Sequence, residues 1–200
     1  MNRLLVINSS PVTDNSNTRQ LVERFVAAAS AAKPALAITQ RDLGRQAPPH
    51  IDEVMIGAYY TAPEQRNAAQ QQALALSEAL VDELLAADTL VIGAPMHNFS
   101  ITSSLKTWID HVARVGRTFQ YGANGPEGLL KGKKAYVLTA SGGDYRPGTP
   151  AESYNHLDPY LRTVLGFIGI TDVTFVNAVS VASSEEGRRN AEAQIEALFA

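Results

Sequence analysis

DTLVIGAPMHNFSITSSLKTWIDHVARVGR, residues Asp88 to Arg117, holds a strand, a loop and a helix in direct succession. Thr89 to Gly93 (TLVIG) is a short β-branched apolar run without polar alternation, the pattern of a central strand covered on both faces. Pro95 has no N–H for a sheet ladder, so Ala94-Pro95 is expected to end the strand. Met96-His97-Asn98-Phe99-Ser100 then forms a loop at the strand's carboxyl end, where open α/β sheets hold ligands. Thr102 or Ser103 is placed to cap a helix carrying Leu105, Trp108, Ile109 and Val112 on one face. Such a loop offers backbone N–H groups, an amide and two rings to something planar and polar.

Composition narrows what that ligand serves. The chain has 200 residues, 45% of them apolar and 18% charged, with a net charge of −3, which describes an ordinary folded protein rather than a disordered or strongly basic one. Nucleic acid is therefore not an expected partner. No linker divides the chain, so a single domain over 1–200 is expected. The absence of cysteine excludes disulfides, thiolate metal sites and thiol nucleophiles. Only four apolar residues follow Met1-Asn2-Arg3 before Asn8, too few for a signal-peptide core, and no run approaches the roughly 20 apolar residues of a membrane span. A cytoplasmic protein without a membrane partner is the expectation.

Upstream of the central stretch, Arg3 to Asn8 (RLLVIN) reads as a second buried strand, followed by the small and polar run from Ser9 to Thr18. Leu21, Val22, Phe25, Val26 and Ala29 recur at helical spacing, with Ser16, Asn17 or Thr18 as the N-cap. Strand, hydroxyl-rich loop and helix N-terminus together suit an anion, because free N–H groups and the positive dipole end converge there. Hydroxyls at Ser10, Ser16 and Thr18 are further donors; a capped loop without ligand is the alternative. The loop lacks the glycines of G-x-G-x-x-G and of the Walker A pattern, which disfavours a dinucleotide or nucleoside-triphosphate fold. Leu36 to Asp42 reads as an edge strand, 44–69 as an excursion with a short helix, and Gln70 to Ala87 as a long helix with Leu74, Leu80, Leu84 and Leu85 facing the sheet.

Downstream, Phe119 to Gly128 reads as a Gly/Pro/Asn-rich loop carrying two aromatics, Phe119 and Tyr121. Lys134 to Thr139 is the fourth strand, and its paired glycines in Ser141-Gly142-Gly143-Asp144-Tyr145 let backbone approach a ligand closely. Tyr160 to Ile170 reads as a helix ended by Gly169, Asp172 to Val181 as the last strand, and Ser183 or Ser184 as the cap of a final helix. Five strands alternating with helices require right-handed crossovers and a parallel sheet. The flavodoxin-like order 2-1-3-4-5 fits best, with its crevice between the strands ending at Asn8 and Gly93. A receiver domain would need acids at those strand ends, G-x-S-x-G is absent, and the four histidines show no metal-ligand spacing, so no metal is expected.

Ala94-Pro-Met-His-Asn-Phe99, Asn124-Gly-Pro-Glu-Gly-Leu129 and Leu165-Gly-Phe-Ile-Gly-Ile-Thr-Asp172 resemble the FMN-dependent NADH azoreductases, within the flavodoxin-fold NAD(P)H:quinone oxidoreductases. The resemblance runs from Leu4 to about Val181 and implies FMN, with NADH or NADPH as donor and quinones, azo compounds or nitroaromatics as acceptors. It implies a phosphate site at Ser10, Ser16, Asn17 and Thr18, and a flavin ring held by Met96, His97, Asn98, Phe99, Ser141, Gly142, Gly143 and Asp144. The family usually has tyrosine at the position of His97, and Ser-Arg-Gly-Gly where this chain has Ala140-Ser141-Gly142-Gly143. His97, Asn98 and Tyr145 are the candidates for catalysis beside the flavin. Tyr60, Phe119, Tyr121 and Phe167 are expected at the substrate, on segments around the crevice that a homodimer completes. A one-electron carrier resembling flavodoxin, or a non-catalytic FMN-binding module, is the competing reading; the former is typically far more acidic.

Overall fold

A computed structural model describes all residues, 1–200. The apolar runs form β1 (Arg3–Asn8), β2 (Ala37–Asp42) and β3 (Thr89–Pro95). Later in the chain come β4 (Phe119–Gly122), β5 (Gly125–Gly128), β6 (Lys134–Ala140) and β7 (Asp172–Ala178). The helices are α1 (Asn17–Ala32), α2 (Glu53–Tyr60), α3 (Ala68–Ala86), α4 (Ser103–Val112), α5 (Asp158–Phe167) and α6 (Glu186–Ala197). Five strands make one parallel sheet in the order β2-β1-β3-β6-β7, the flavodoxin-like 2-1-3-4-5 arrangement. Alternating strand residues feed two cores. Leu5, Ile7, Leu90, Ile92 and Val137 meet α3, α4 and α5 on one face, and Leu4, Val6, Val91 and Leu138 meet α1 and α6 on the other.

Ala94-Pro95 ends β3 as expected, both residues still pairing with β6, Ala94 with Thr139 and Pro95 with Ala140. The Gly93 carbonyl accepts from Ser9 N at 3.1 Å on the β1 side, and Pro95, two residues on, presents its missing donor to the same side after β1 has left. Met96 N still bonds Ala140 O at 2.9 Å on the β6 side. Gly93 itself is required by packing, since a Cβ there would lie 2.8 Å from Val22 Cγ2 of α1.

Four differences from expectation have local causes. Residues 119–128 form the antiparallel hairpin β4–β5 rather than a loop, because Gly122 and Gly125 bracket a two-residue turn and Gly125 takes φ +107°. The last strand stops at Ala178, where Val181 N turns back to Ser141 O and Ser180 adopts φ 56°. The final helix has Glu185 at its N-cap without a side-chain bond, while the Ser184 hydroxyl accepts from Glu186 N at 3.0 Å. Leu85 faces solvent, unlike Leu74, Leu80 and Leu84. The excursion carries α2, whose Met55 and Ala58 pack on Leu74 of α3. No helix is long and apolar enough to cross a membrane.

Candidate ligand crevice

β1, β3 and β6 are neighbours, so the three polar segments leaving their carboxyl ends lie side by side. At the first, Ser16 caps α1 and its hydroxyl accepts from Arg19 N at 3.4 Å. The same hydroxyl lies 2.9 Å from Ser10 Oγ and 3.2 Å from Thr18 Oγ1, and all three residues are buried. The N–H groups of Asn17 and Thr18 donate to no protein acceptor, as expected of a first helical turn. Beside them the Asn8 side-chain oxygen is buried without a partner. Three hydroxyls, two free N–H groups and a helix dipole are the donor set of a single-phosphate site.

After β3, His97 and Ser100 exchange both backbone hydrogen bonds, at 2.9 and 3.0 Å, around a two-residue turn. Asn98 (φ 47°) and Phe99 (φ 70°) are both left-handed. Asparagine tolerates that conformation, whereas phenylalanine adopts it at a cost. Both N–H groups are without a protein acceptor, and His97, Asn98 and Phe99 are exposed while Met96 is half-buried. After β6, Ser141 Oγ donates to Gly143 O at 2.8 Å, closing a tight turn from which the N–H groups of Gly142 and Gly143 emerge free. Asp144 pairs with Arg146 at 2.5 Å, and that guanidinium holds its carboxyl below the ordinary value. The second and third segments are tied together, since the Phe99 ring lies 6.0 Å edge-on from Tyr145 and 5.3 Å from Tyr154. His156 N also bonds Phe99 O at 3.0 Å.

Tyr60, Phe119, Tyr121 and Phe167 are not part of this crevice. Thr102 caps α4 next to the crevice turn, and Phe119 follows the far end of that helix, which at ten residues is about 15 Å long. Phe167 is separated in the same way, at the far end of the ten-residue α5 that starts just after His156. The four still form a patch. Phe119 is buried against Phe167 at 4.5 Å and Tyr121 at 5.7 Å, and Tyr60 and Tyr121, 85% and 73% exposed by residue, flank a hollow of about 300 Å³.

Residues 2–199 match the family described as having a flavodoxin-like fold. The FMN-dependent NADH:quinone oxidoreductase of Herminiimonas arsenicoxydans is 51% identical over 194 residues, covering 97% of this chain and 95% of the relative. The chain belongs to this family. A second member, the FMN-dependent NADH:quinone oxidoreductase of Acidobacterium capsulatum, is 54% identical over 88% of this chain and 84% of the relative. Among solved structures, the FMN-dependent NADH-azoreductase from Bacillus anthracis str. Ames Ancestor in complex with FMN superposes with a TM-score of 0.91 at 28% identity, covering 100% of this chain and 98% of that one.

Three further groups, one behind the crevice and two at the far end of α4, carried no motif. Arg19 and Asp42 form a largely buried ion pair at 2.7 Å behind the hydroxyl cluster, and hydrogen bonding to Arg19 lowers the Asp42 carboxyl below its ordinary value. An arginine in the first turn of a helix, directly after the hydroxyl residue Thr18, is the only sequence trace it leaves. His111 is fully buried, with Nε2 bonded to Pro49 O at 2.9 Å, so it anchors the excursion. Arg114 supports the aromatic patch. Its guanidinium stacks 4.6 Å over the Tyr59 ring and bonds Ser77 Oγ and Glu78 at 2.6 and 2.8 Å, and burial lowers it from its ordinary value.

Proposed function

We propose that this chain is an FMN-dependent NADH:quinone oxidoreductase that also reduces azo compounds. The observation that carries this reading is the pairing of one glycine-free, hydroxyl-lined anion site with the free N–H groups of Asn98, Phe99, Gly142 and Gly143 on adjacent strand ends. One phosphate and one planar ring with polar edges fit that set; a second phosphate has no glycine turn to receive it. Ser10, Ser16, Asn17 and Thr18 hold the phosphate, and Met96 to Phe99 with Ser141 to Asp144 hold the ring. FMN, when bound there, would supply two-electron hydride chemistry between NADH and a quinone or azo acceptor. The backbone donors of Gly142 and Gly143 and the Asn98 amide meet negative charge that builds on the ring edge. His97 is exposed at the crevice and Tyr145 packs beside Phe99; these two and water are the proton sources within reach of an acceptor.

The same reading takes the active form to be a homodimer. The crevice has one aromatic wall, from Phe99, Tyr145 and Tyr154, and the Tyr60–Tyr121 patch lies about one helix length away. A two-fold pairing lays each patch over the other protomer's crevice, burying exposed aromatics that soluble monomers seldom display. Flavin titration followed by stopped-flow mixing with NADH tests the function. Tight FMN binding, weaker FAD binding, fast bleaching by NADH and parallel initial-rate lines with a quinone are expected; an FMN complex that NADH does not bleach would leave an electron carrier or a binding module instead.

A further inference from the structure

The hydroxyl cluster at the start of α1 has a fixed backing. Arg19 reaches Asp42 of β2 and two loop carbonyls, which together engage four of its five guanidinium N–H groups. Nε donates to Val12 O at 2.8 Å, Nη2 to Ser10 O at 2.8 Å and to Asp42 Oδ1 at 2.7 Å, and Nη1 to Asp42 Oδ2 at 2.7 Å. Asp42, the last residue of β2, is held in turn by the N–H groups of Gly44 and Arg45, each at 3.1 Å. Gly44 closes the cradle from the other side: a Cβ there would lie 1.9 Å from Ser10 O and 2.8 Å from Arg19 Nη2. Three elements thus fix one carbonyl. The Ser10 hydroxyl, on the same residue, is the one that Ser16 Oγ contacts at 2.9 Å.

We propose that Arg19 and Asp42 are positioning residues: they lock the Ser10–Val12 backbone so that the anion site is preformed, and thereby set the preference for a phosphorylated flavin over its unphosphorylated form. This rests on the FMN reading above. The eight-residue loop Ser9–Ser16 contains no glycine and is tied to β3 only at its first residue, Ser9; beyond it, the charged restraint is the bidentate guanidinium–carboxylate pair, which joins α1 to β2 while two further bonds reach Ser10 and Val12. Preorganised hydroxyls bind an anion without first ordering the loop; a loose loop must be ordered at the expense of affinity. The rival role, Arg19 as a direct phosphate ligand, would require it to leave Asp42, Ser10 and Val12.

The two roles give opposite signs in one experiment. Affinities for FMN and for riboflavin are measured by flavin fluorescence quenching in the unaltered protein, Asp42→Asn, Arg19→Lys and Gly44→Ala, with thermal melting of each apoprotein. Asp42→Asn makes the site more positive and frees Arg19, so a direct ligand would bind FMN as tightly or more tightly. The cradle instead requires FMN affinity to fall by about tenfold or more while riboflavin changes less than about twofold. Gly44→Ala, which leaves every charge in place and displaces the Ser10 carbonyl, should show the same selective loss. An unchanged or increased FMN to riboflavin ratio in Asp42→Asn, or a parallel loss of both flavins across the three variants, overturns the inference. An unaltered protein that does not prefer FMN over riboflavin overturns the functional reading instead, so the two failures are separable.

Discussion

Asn98 and Phe99 hold left-handed backbone that no sheet or helix demands, and their free N–H groups are what the conformation delivers. Strain kept at such a turn is expected to trade stability against ligand binding. Asn98→Gly keeps the left-handed backbone, which asparagine already tolerates, while removing an exposed amide, so apoprotein stability should change by less than about 1 kcal/mol while turnover falls. Thermal melting beside initial rates checks both, and a variant that loses stability would show that the Asn98 side chain holds the turn. Ser16 behaves differently because it is both a donor at the anion site and the N-cap of α1. Ser16→Ala should lower apoprotein stability by about 1 kcal/mol and weaken FMN more than riboflavin. Asp42 gives a pH signature. Its folded carboxyl titrates below the ordinary 3.8, chiefly through hydrogen bonding to Arg19, so its stabilisation is complete above that value and disappears as pH falls through the lower folded one. Stability curves of the unaltered protein and Asp42→Asn should therefore differ near neutrality and converge in acid. Parallel curves down to the acid limit would mean that the pair contributes nothing through that carboxyl.

The buried runs at Leu4–Ile7 and Leu90–Ile92, each bounded by turn-forming residues, made the order of the five-stranded sheet legible, because apolarity on both faces leaves few alternatives. Element ends were less legible. The last strand was read to Val181 but stops at Ala178, because Val181 N turns back to Ser141 O, a contact with a distant loop that residues 172–181 do not encode. The hairpin β4–β5 was read as loop, since glycine and proline outweighed the two-residue spacing of Gly122 and Gly125 that signals a tight turn. The polar crevice segments could be read because hydroxyl, amide and glycine runs after strands have few structural uses. Arg19 and Asp42 could not, because their partners are main-chain carbonyls and N–H groups, which leave no mark in side-chain composition. The hairpin's position rests on close backbone contact: a Cβ at Gly128 would meet Gly169 N at 2.1 Å. Gly128→Ala should consequently destabilise the protein by roughly 1–3 kcal/mol and shift Tyr121 and Phe119 from their packing on Phe167. Denaturant melts and near-ultraviolet circular dichroism would detect both effects; an unchanged spectrum would mean that the hairpin is anchored elsewhere.

In a single chain, the polar crevice segments lie at the carboxyl end of the sheet, while Tyr60, Tyr121, Phe119 and Phe167 cluster at the far ends of α4 and α5. A ligand in the crevice cannot touch that patch unless the chain rearranges or a second copy supplies it. Rearrangement is opposed by Arg114, which ties Tyr59 to Ser77 and Glu78 of α3, and whose carbonyl takes Thr118 N and Phe119 N at the start of the hairpin. A buried guanidinium that bonds α3 and stacks on α2, on a residue whose carbonyl holds the hairpin, favours one fixed arrangement. In the homodimer proposed above, association would close the site, and Tyr121 is its most direct probe, since its ring is exposed and meets Phe119 by an edge contact. Tyr121→Ser should leave the fold and FMN-phosphate recognition intact, shift sedimentation toward monomer and reduce acceptor turnover together with it. Dilution of the unaltered protein should lower specific activity over the same concentration range in which the dimer dissociates. Specific activity that stays constant where the sedimenting species is already monomeric would show that one chain builds the whole site, with the excursion at 44–69 moving over its own crevice.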